Sequence, residues 1–364
     1  MAGNTINIDL DVLESEHLIG RLKLLELLER QAPYRDFRDR VDRRISQALT
    51  TIPEHFHQSA LAIFGTTLYI TRQILDDAWR FLWSSLCRSF GGLPKPEELL
   101  ILELDRDLLR DEFYRANALA GRLQDNLPVR SSYDLVDAMM QLESGHIGPE
   151  LKDVLPEILQ RPHWLLLIDT SISGASASVE LDRLHRIRKL IYPHSSGSIV
   201  ALIQLATEQA HNELTRTGQR FISAINIPLS YALNSKEYSA VNNPELVIRM
   251  KELCSWFAET HILTTDCRLA KMSKKENSPT LSTFGFGQMG WSIVTHKNTP
   301  NNSLPLLWFK PPSEAYRPPF ERIDSRISTS WFGRKQWLER LEREEPLRIK
   351  VLESLHSLRE ERRR

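Results

Sequence analysis

Apolar residues recur at helical spacing through the first 142 residues of the chain. Between residues 12 and 50, leucines repeat every three or four positions with charges between them, which predicts helices. An aromatic-rich stretch at 73–90 predicts another helix, which ends at two glycines. The segment 99–109 is apolar with interleaved acids, and we expect helices to continue from it to residue 142. The run 60–71 fits either a buried strand or a buried helix.

The pattern changes after residue 160 to short, continuous apolar runs of strand length. The run 163–169 is apolar until it ends in an acid, as a strand buried on both faces of a sheet does. Five further elements are predicted: strands at 198–206, 221–227 and 292–296, and helices at 179–191 and 243–257. Strands that alternate with helices predict an α/β fold with a mostly parallel sheet and helices on both faces.

Composition and charge narrow the class of protein. The 364 residues include 47 basic and 47 acidic side chains, and this zero net charge disfavours bulk electrostatic binding to nucleic acid. We expect a cytoplasmic protein without a membrane span, because no apolar run reaches about 18 residues and the N-terminus lacks a secretory signal pattern. The cysteines Cys87, Cys254 and Cys267 are too widely spaced for a disulfide framework or a C-x-x-C metal pair.

The segment 165–176 carries the clearest candidate chemistry. Ligands of open α/β sheets bind beyond the carboxyl ends of the strands, and a small-residue turn that enters a helix offers backbone N–H groups to phosphate. Asp169, at the strand end, would accept hydrogen bonds from sugar hydroxyls. The phosphate-binding residues would be Thr170, Ser171, Ser173, Gly174 and Ser176. The alternative is that the serines only cap the helix and Asp169 holds a turn.

On these residues the chain resembles the phosphoribosyltransferase superfamily. Its members carry a strand, two adjacent acids and a Ser/Thr-Gly-x-Thr loop that cradles the 5′-phosphate of phosphoribosyl pyrophosphate. Matching that loop to 173–176 puts Asp169 at the second acidic position and Ile168 at the first. The resemblance implies a ribosyl substrate and Mg²⁺ as cofactor. The loss of one acid implies an altered ribosyl chemistry.

A second block, Phe284–Trp308, resembles the C-terminal block of phosphoribosyltransferase-like effectors of bacterial conflict systems, which are associated with antiphage loci and retrons. Both contain a glycine-rich turn, a strand and an Asn-x-Pro-x-Asn-x-Leu-Pro-x-x-Trp loop. The resemblance implies that this loop faces the base or leaving group, through His296, Lys297, Asn298, Asn301 and Asn302. The alternative is that the asparagines form turns.

Two further features have competing interpretations. Asp169 and Glu208 are the two candidate catalytic residues, because a nearby carboxylate stabilises an oxocarbenium-like state. Glu208 follows the 198–206 strand, where it could replace the missing acid or act as general base. The alternative for Glu208 is a solvated residue at a helix start. The string Gly285-x-Gly287-x-x-Gly290 matches a dinucleotide-binding pattern, but it lacks the required preceding strand and following helix, so we reject that site.

The combined expectation is a phosphoribosyltransferase-like α/β core at 151–315, preceded by a helical region at 1–150 and followed by a charged helical tail at 316–364. The resemblance implies an antiviral effector that acts on a nucleotide, nucleoside or ribosyl-phosphate, as a glycosyltransferase or N-glycosidase. It also implies partner proteins of a defence complex, among them a reverse transcriptase with its RNA–DNA product. The alternative is a catalytically inactive sensing subunit that binds a nucleotide or nucleic acid.

Overall fold

The computed structural model describes residues 35–104, 109–119, 129–145, 148–192, 197–296, 299–313, 316–320 and 331–363. The chain divides into two compact units. We call Leu75–Asn226 with Ser325–Arg364 the sheet unit, and Met1–Ile74 with Ile227–Asp324 the helical unit. The three segments predicted from the sequence divide the chain at other positions, and that division stays a prediction.

The described strands and helices account for most of the predicted elements. The strands are β1 (Leu68–Ile70), β2 (Leu99–Glu103), β3 (His163–Ser171), β4 (Ser198–Thr207), β5 (Phe221–Ile227) and β6 (Ile293–Thr295). The α-helices are α1 (Arg35–Thr51), α2 (His57–Thr66), α3 (Arg72–Ser89), α4 (Leu109–Ala116), α5 (Ser132–Ser144), α6 (Pro149–Gln160), α7 (Ala175–Ile191), α8 (Glu208–Arg216), α9 (Lys236–Val241), α10 (Pro244–Phe257), α11 (Arg268–Lys275), α12 (Pro279–Phe284), α13 (Pro305–Trp308), α14 (Trp331–Arg343) and α15 (Glu345–Arg363). Among the described residues, none of these helices is long and apolar enough to cross a membrane.

The sheet unit is built around four strands in the order β2-β3-β4-β5. β3 runs parallel to both β2 and β4, which confirms the predicted α/β fold with a parallel sheet. The prediction of a helix at the start of 99–109 is wrong, because Leu99–Glu103 forms strand β2 with all five residues buried. The interleaved acids of that segment suggested an amphipathic helix, whereas its first five residues pair with β3 and are covered on both faces.

Side chains of β3 alternate between two apolar layers. Leu166 and Ile168 pack in a cluster with residues of α5, α6, α7, α8, α14 and α15. Leu165 and Leu167 pack on the other face with residues of α3 and α4. The C-terminal tail therefore forms part of the core, and Arg334 of α14 donates hydrogen bonds of 2.6 and 2.5 Å to the carboxylate of Asp137.

The helical unit contains a separate two-stranded sheet of β1 and β6. We expected the strand at 292–296 beside the others of the α/β core, but it pairs in parallel with Leu68–Ile70 instead. The N–H groups of Leu68 and His296 donate to the carbonyls of Ser292 and Ile70 at 2.8 and 2.9 Å, which fixes the register at both ends. The ambiguous run 60–71 thus contains both the end of helix α2 and strand β1.

Candidate functional site

The turn after β3 is shorter than the sequence suggested. Thr170 and Ser171 belong to the strand, where they pair with Leu205 and Ala206 of β4. Thr170 is half-buried and Ser171 is buried. The turn itself is Ile172–Gly174, and α7 begins at once at Ala175. We call Ile172–Ser176, which includes the first two residues of the helix, the β3–α7 turn.

Gly174 allows the β3–α7 turn to pack closely on α8. Its backbone is left-handed, with φ of 77°, which favours glycine. A Cβ atom there would lie 2.9 Å from both the carbonyl oxygen of Ala210 and the Cβ of Glu213. The side of Gly174 that a methyl group would occupy is therefore taken by the protein's own helix, which explains the glycine without a ligand.

The N-terminus of α7 is the part of the turn with donors to offer. The first N–H groups of an α-helix have no partner inside the helix, and they lie at the positive end of its dipole. Ala175 and Ser176 are exposed in this first turn. The hydroxyl of Ser173 accepts from the Ala175 N–H only at 3.4 Å. This arrangement can bind an anion such as a phosphate group.

Thr207 joins the β3–α7 turn to the end of β4. Its buried hydroxyl donates to the carbonyl of Ile172 and accepts from the N–H of Ala210 at 3.1 Å, so it also caps α8. Glu208 is the next residue and is exposed at the start of α8. The structure thus brings the β3–α7 turn and the strand end that carries Glu208 to the same edge of the sheet. The capping role of Thr207 was not predicted from the sequence, although a threonine before a helix start is a common cap.

Asp169 and Ile168 point to opposite faces of β3, which explains why only one of the two positions is acidic. Ile168 is fully buried in the apolar cluster that also contains residues of α7. Burying a carboxylate there would cost free energy. Asp169 is half-buried, and its Oδ1 accepts the N–H of Thr170 at 2.5 Å.

Glu103 is an acid at the sheet edge that sequence reasoning missed. It ends β2, is fully buried, and its Oε1 accepts the N–H of Arg110 at 3.0 Å. Burial raises the pKa of Glu103, and the Arg110 N–H and the positive charges of Arg110 and Arg130 oppose that rise. A signal was present, because Leu99–Glu103 is an apolar run that ends in an acid, like Leu165–Asp169.

The loop predicted to face the base or leaving group lies in the helical unit. His296 follows β6 and is half-buried, while Lys297 and Asn298 lie outside the described residues. The carbonyl of Asn301 accepts the Phe286 N–H at 3.2 Å, and the side-chain amide of Asn302 donates to the Phe286 carbonyl. Both asparagines therefore contact the neighbouring turn. Their role toward a base stays a prediction.

The glycines at 285–290, which we call the glycine turn, connect α12 to β6. The segment therefore lies between a helix and a strand, whereas a dinucleotide-binding loop lies between a strand and a helix. This confirms the rejection of a dinucleotide site.

The described residues provide no cluster of three or more His, Cys, Asp or Glu side chains that could hold a metal ion. Mg²⁺ is commonly held by one or two carboxylates together with substrate phosphates and water. Asp169 therefore fits Mg²⁺ only as one ligand in a site that the substrate completes.

Comparison with known proteins identifies the family. Residues 129–322, more than half of the chain, match the family model PRTase-CE. The chain belongs to the PRTase-CE family. The match identifies a phosphoribosyltransferase-like domain, and it supports a transferase-type function on nucleotides or ribosyl compounds. The matched range includes the β3–α7 turn and the glycine turn but begins after β2. No curated protein and no solved structure matches the chain.

Proposed function

We propose that the PRTase-CE chain binds a nucleotide, nucleoside or ribosyl-phosphate and transfers or cleaves its glycosidic bond. The observation that carries this proposal is the β3–α7 turn within the matched domain. There, the exposed first-turn residues of α7 follow the turn Ile172–Gly174 after β3, and Asp169 lies near the end of that strand. Phosphate binding of this kind needs local N–H donors and no surplus of basic residues, which agrees with the zero net charge.

Four of the candidate residues have a defined role in this proposal. The first turn of α7, with Ser173 and Ser176, binds the phosphate, and Asp169 accepts hydrogen bonds from the ribose hydroxyls. The bond from ribosyl C1 to its leaving group breaks, and the leaving group departs with the electron pair. Water or an acceptor then bonds to C1, and Glu208 takes the proton that this nucleophile loses. A carboxylate nearby also stabilises the oxocarbenium-like state.

Magnesium is part of the proposal as a metal that arrives with the substrate. Asp169 would hold the ion together with phosphate oxygens, and the ion would neutralise phosphate charge. A site of this kind agrees with the absence of a three-residue acidic or histidine cluster among the described residues.

The biological role we propose is that of an antiviral effector in the cytoplasm, held in check by partner proteins until infection. Its support is the resemblance of Phe284–Trp308 to effectors of conflict systems, which also suggests a reverse transcriptase with its RNA–DNA product as a partner. A second candidate is a catalytically inactive nucleotide or nucleic-acid sensor. The burial of Ile168 in the apolar core favours it, because the site keeps only one acid at this strand end.

Metabolite profiling tests the enzymatic proposal. Cells that express the active chain should lose a specific nucleotide or ribosyl-phosphate pool, and cells with Asp169→Ala should keep it. Asp182→Ala is the matched control, because Asp182 is an exposed acid on the outside of α7 in the same unit. Unchanged pools with the wild-type chain would contradict the enzyme and favour the sensor.

A further inference from the structure

Three polar residues form a row across one face of the sheet in the sheet unit. Leu167 of β3 pairs with Glu103 of β2 on one side and with Leu202 of β4 on the other. Asp169 and Gln204 each follow two residues later, so their side chains lie on the same face. This face packs on α3 and α4. We call Glu103, Asp169 and Gln204 the acceptor row.

Two oxygens of the acceptor row are buried without a donor among the described residues. Gln204 is fully buried; its amide nitrogen donates to the carbonyl of Leu75 at 2.8 Å, and its Oε1 has no partner. Glu103 uses Oε1 to accept the Arg110 N–H, and its Oε2 has no partner. Buried polar atoms in proteins are nearly always paired, because an unpaired one costs free energy. The two oxygens therefore indicate a donor that the described residues do not supply.

Trp79 indicates what kind of donor is missing. Its indole Nε1 is also buried without a partner among the described residues. Trp79 lies in the apolar layer on the same face of the sheet, one helical turn after Leu75, which Gln204 contacts. A hydroxyl group can donate to a carbonyl or carboxylate oxygen and accept from an indole N–H at the same time. A hydroxyl, from a sugar or from water, is therefore a group that could pair with unpaired atoms of both kinds.

We propose that Glu103 and Gln204 are specificity residues for the sugar. Their unpaired oxygens accept hydrogen bonds from ribosyl hydroxyls, Trp79 donates to one of these hydroxyls, and Asp169 lies between the two. The proposal rests on the proposed function, because the same ligand carries its phosphate to the β3–α7 turn. It adds two residues outside the phosphate-binding segment, one of which precedes the matched family range.

The test compares a sugar phosphate with phosphate alone on the full chain. Calorimetric titration with ribose 5-phosphate and with inorganic phosphate measures how much the sugar adds to affinity. Gln204→Met and Glu103→Gln should each weaken ribose 5-phosphate by about tenfold, as expected for loss of one hydrogen bond to a buried partner. Both should leave inorganic phosphate affinity unchanged. Gln219→Met, outside the row, is the control for Gln204→Met.

The outcomes separate this inference from the proposed function. If both variants bind ribose 5-phosphate as tightly as the wild type, the oxygens of Glu103 and Gln204 accept hydrogen bonds only from water and the inference is wrong. If the wild-type chain binds neither ligand, the proposed function itself is wrong and the inference fails with it. Trp79→Phe provides a second variant that keeps a large ring; it should also weaken ribose 5-phosphate selectively, whether or not Gln204→Met folds.

Discussion

The β3–α7 turn and the glycine turn both contain a glycine with positive φ and differ in what they do with their N–H groups. In each turn, the missing Cβ of such a glycine makes room for another segment of the chain. In the glycine turn, N–H donors form hydrogen bonds with carbonyl groups of the protein itself. The N–H groups of Phe286, Gln288 and Gly290 donate to carbonyls of Asn301, Gly285 and Phe284 at 3.0 to 3.2 Å.

The β3–α7 turn instead ends at the N-terminus of a 17-residue helix. There the first N–H groups have no acceptor inside the helix, and the helix dipole favours an anion. The difference teaches that glycine spacing is a poor indicator of a phosphate site. Whether N–H donors are left over by the turn is the better criterion, and it favours the turn with fewer glycines.

The largest expected effect is the loss of unfolding free energy when alanine replaces a glycine with positive φ in each turn. Gly285, Gly174 and Gly145 have nearly equal φ values of 76°, 77° and 73°, but ψ is −179° at Gly285 against −19° and 9° at the other two, and their surroundings differ. A Cβ would lie 2.6 Å from the Ser303 carbonyl oxygen at Gly285 and 2.9 Å from that of Ala210 at Gly174, whereas at Gly145 no described residue beyond the chain neighbours lies within 4 Å. Substitution by alanine should cost about 4, 3 and 1 kcal/mol of unfolding free energy, respectively.

Hydrogen exchange of the amides in β6 and β3 measures these losses separately in the helical and sheet units, where a single melting curve would mix them. Gly145→Ala is the control for Gly174→Ala, since it carries the left-handed strain without the close contact. Equal losses at Gly174 and Gly145 would show that backbone conformation alone decides there, and that the close packing of the β3–α7 turn contributes nothing.

A smaller effect is expected at the link between β4 and the β3–α7 turn. Thr207→Val keeps the shape of the buried side chain but removes the hydroxyl, which leaves the Ile172 carbonyl and the Ala210 N–H unpaired. We expect a loss of about 2 kcal/mol of unfolding free energy and faster hydrogen exchange in α7. Thr207→Ser should restore most of the loss. A valine variant as stable as the wild type would show that the Thr207 hydroxyl does not stabilise this link.

The smallest effect is a dependence of stability on pH in both units. Burial lowers the pKa of His185 on α7 and of His261 in the helical unit below the usual 6.5. Because the folded chain favours the neutral rings, their contribution is complete above pH 6.5 and is lost as the pH falls through the lowered pKa. His185→Gln should flatten this dependence in the sheet unit, and His261→Gln in the helical unit. A wild-type stability that does not fall below pH 6.5 would contradict the prediction.

Asp169 was expected to end its strand, whereas β3 continues to Ser171. The strands β3, β4 and β5 and helix α10 follow from the hydrophobic pattern of their segments and its boundaries. Strand β2 was not predicted in this way, because the acids after Leu102 suggested an amphipathic helix. The pairing of β6 with β1 could not be predicted either, because nothing local to residues 292–296 distinguishes β1 from the main sheet as a partner.

The same limit applied within the candidate site. Gln204 is one polar residue in the otherwise apolar interior of β4, and only the register beside β3 puts it on the face of Asp169. Glu103 becomes part of the site only once β2 is recognised as a strand. Alternation along β3 likewise explains Ile168, which the sequence alone presented as a lost acid.

Titration of ribose 5-phosphate into the wild-type chain and Ser176→Glu tests the central claim most directly. Ser176 is exposed in the first turn of α7, where a negative charge is favourable to the helix but repels a bound phosphate. The account predicts unchanged or slightly higher thermal stability and an affinity reduced by more than about tenfold. Ser84→Glu, on the exposed side of α3, should bind like the wild type. Equal binding by Ser176→Glu and the wild type would show that the phosphate does not lie on the β3–α7 turn.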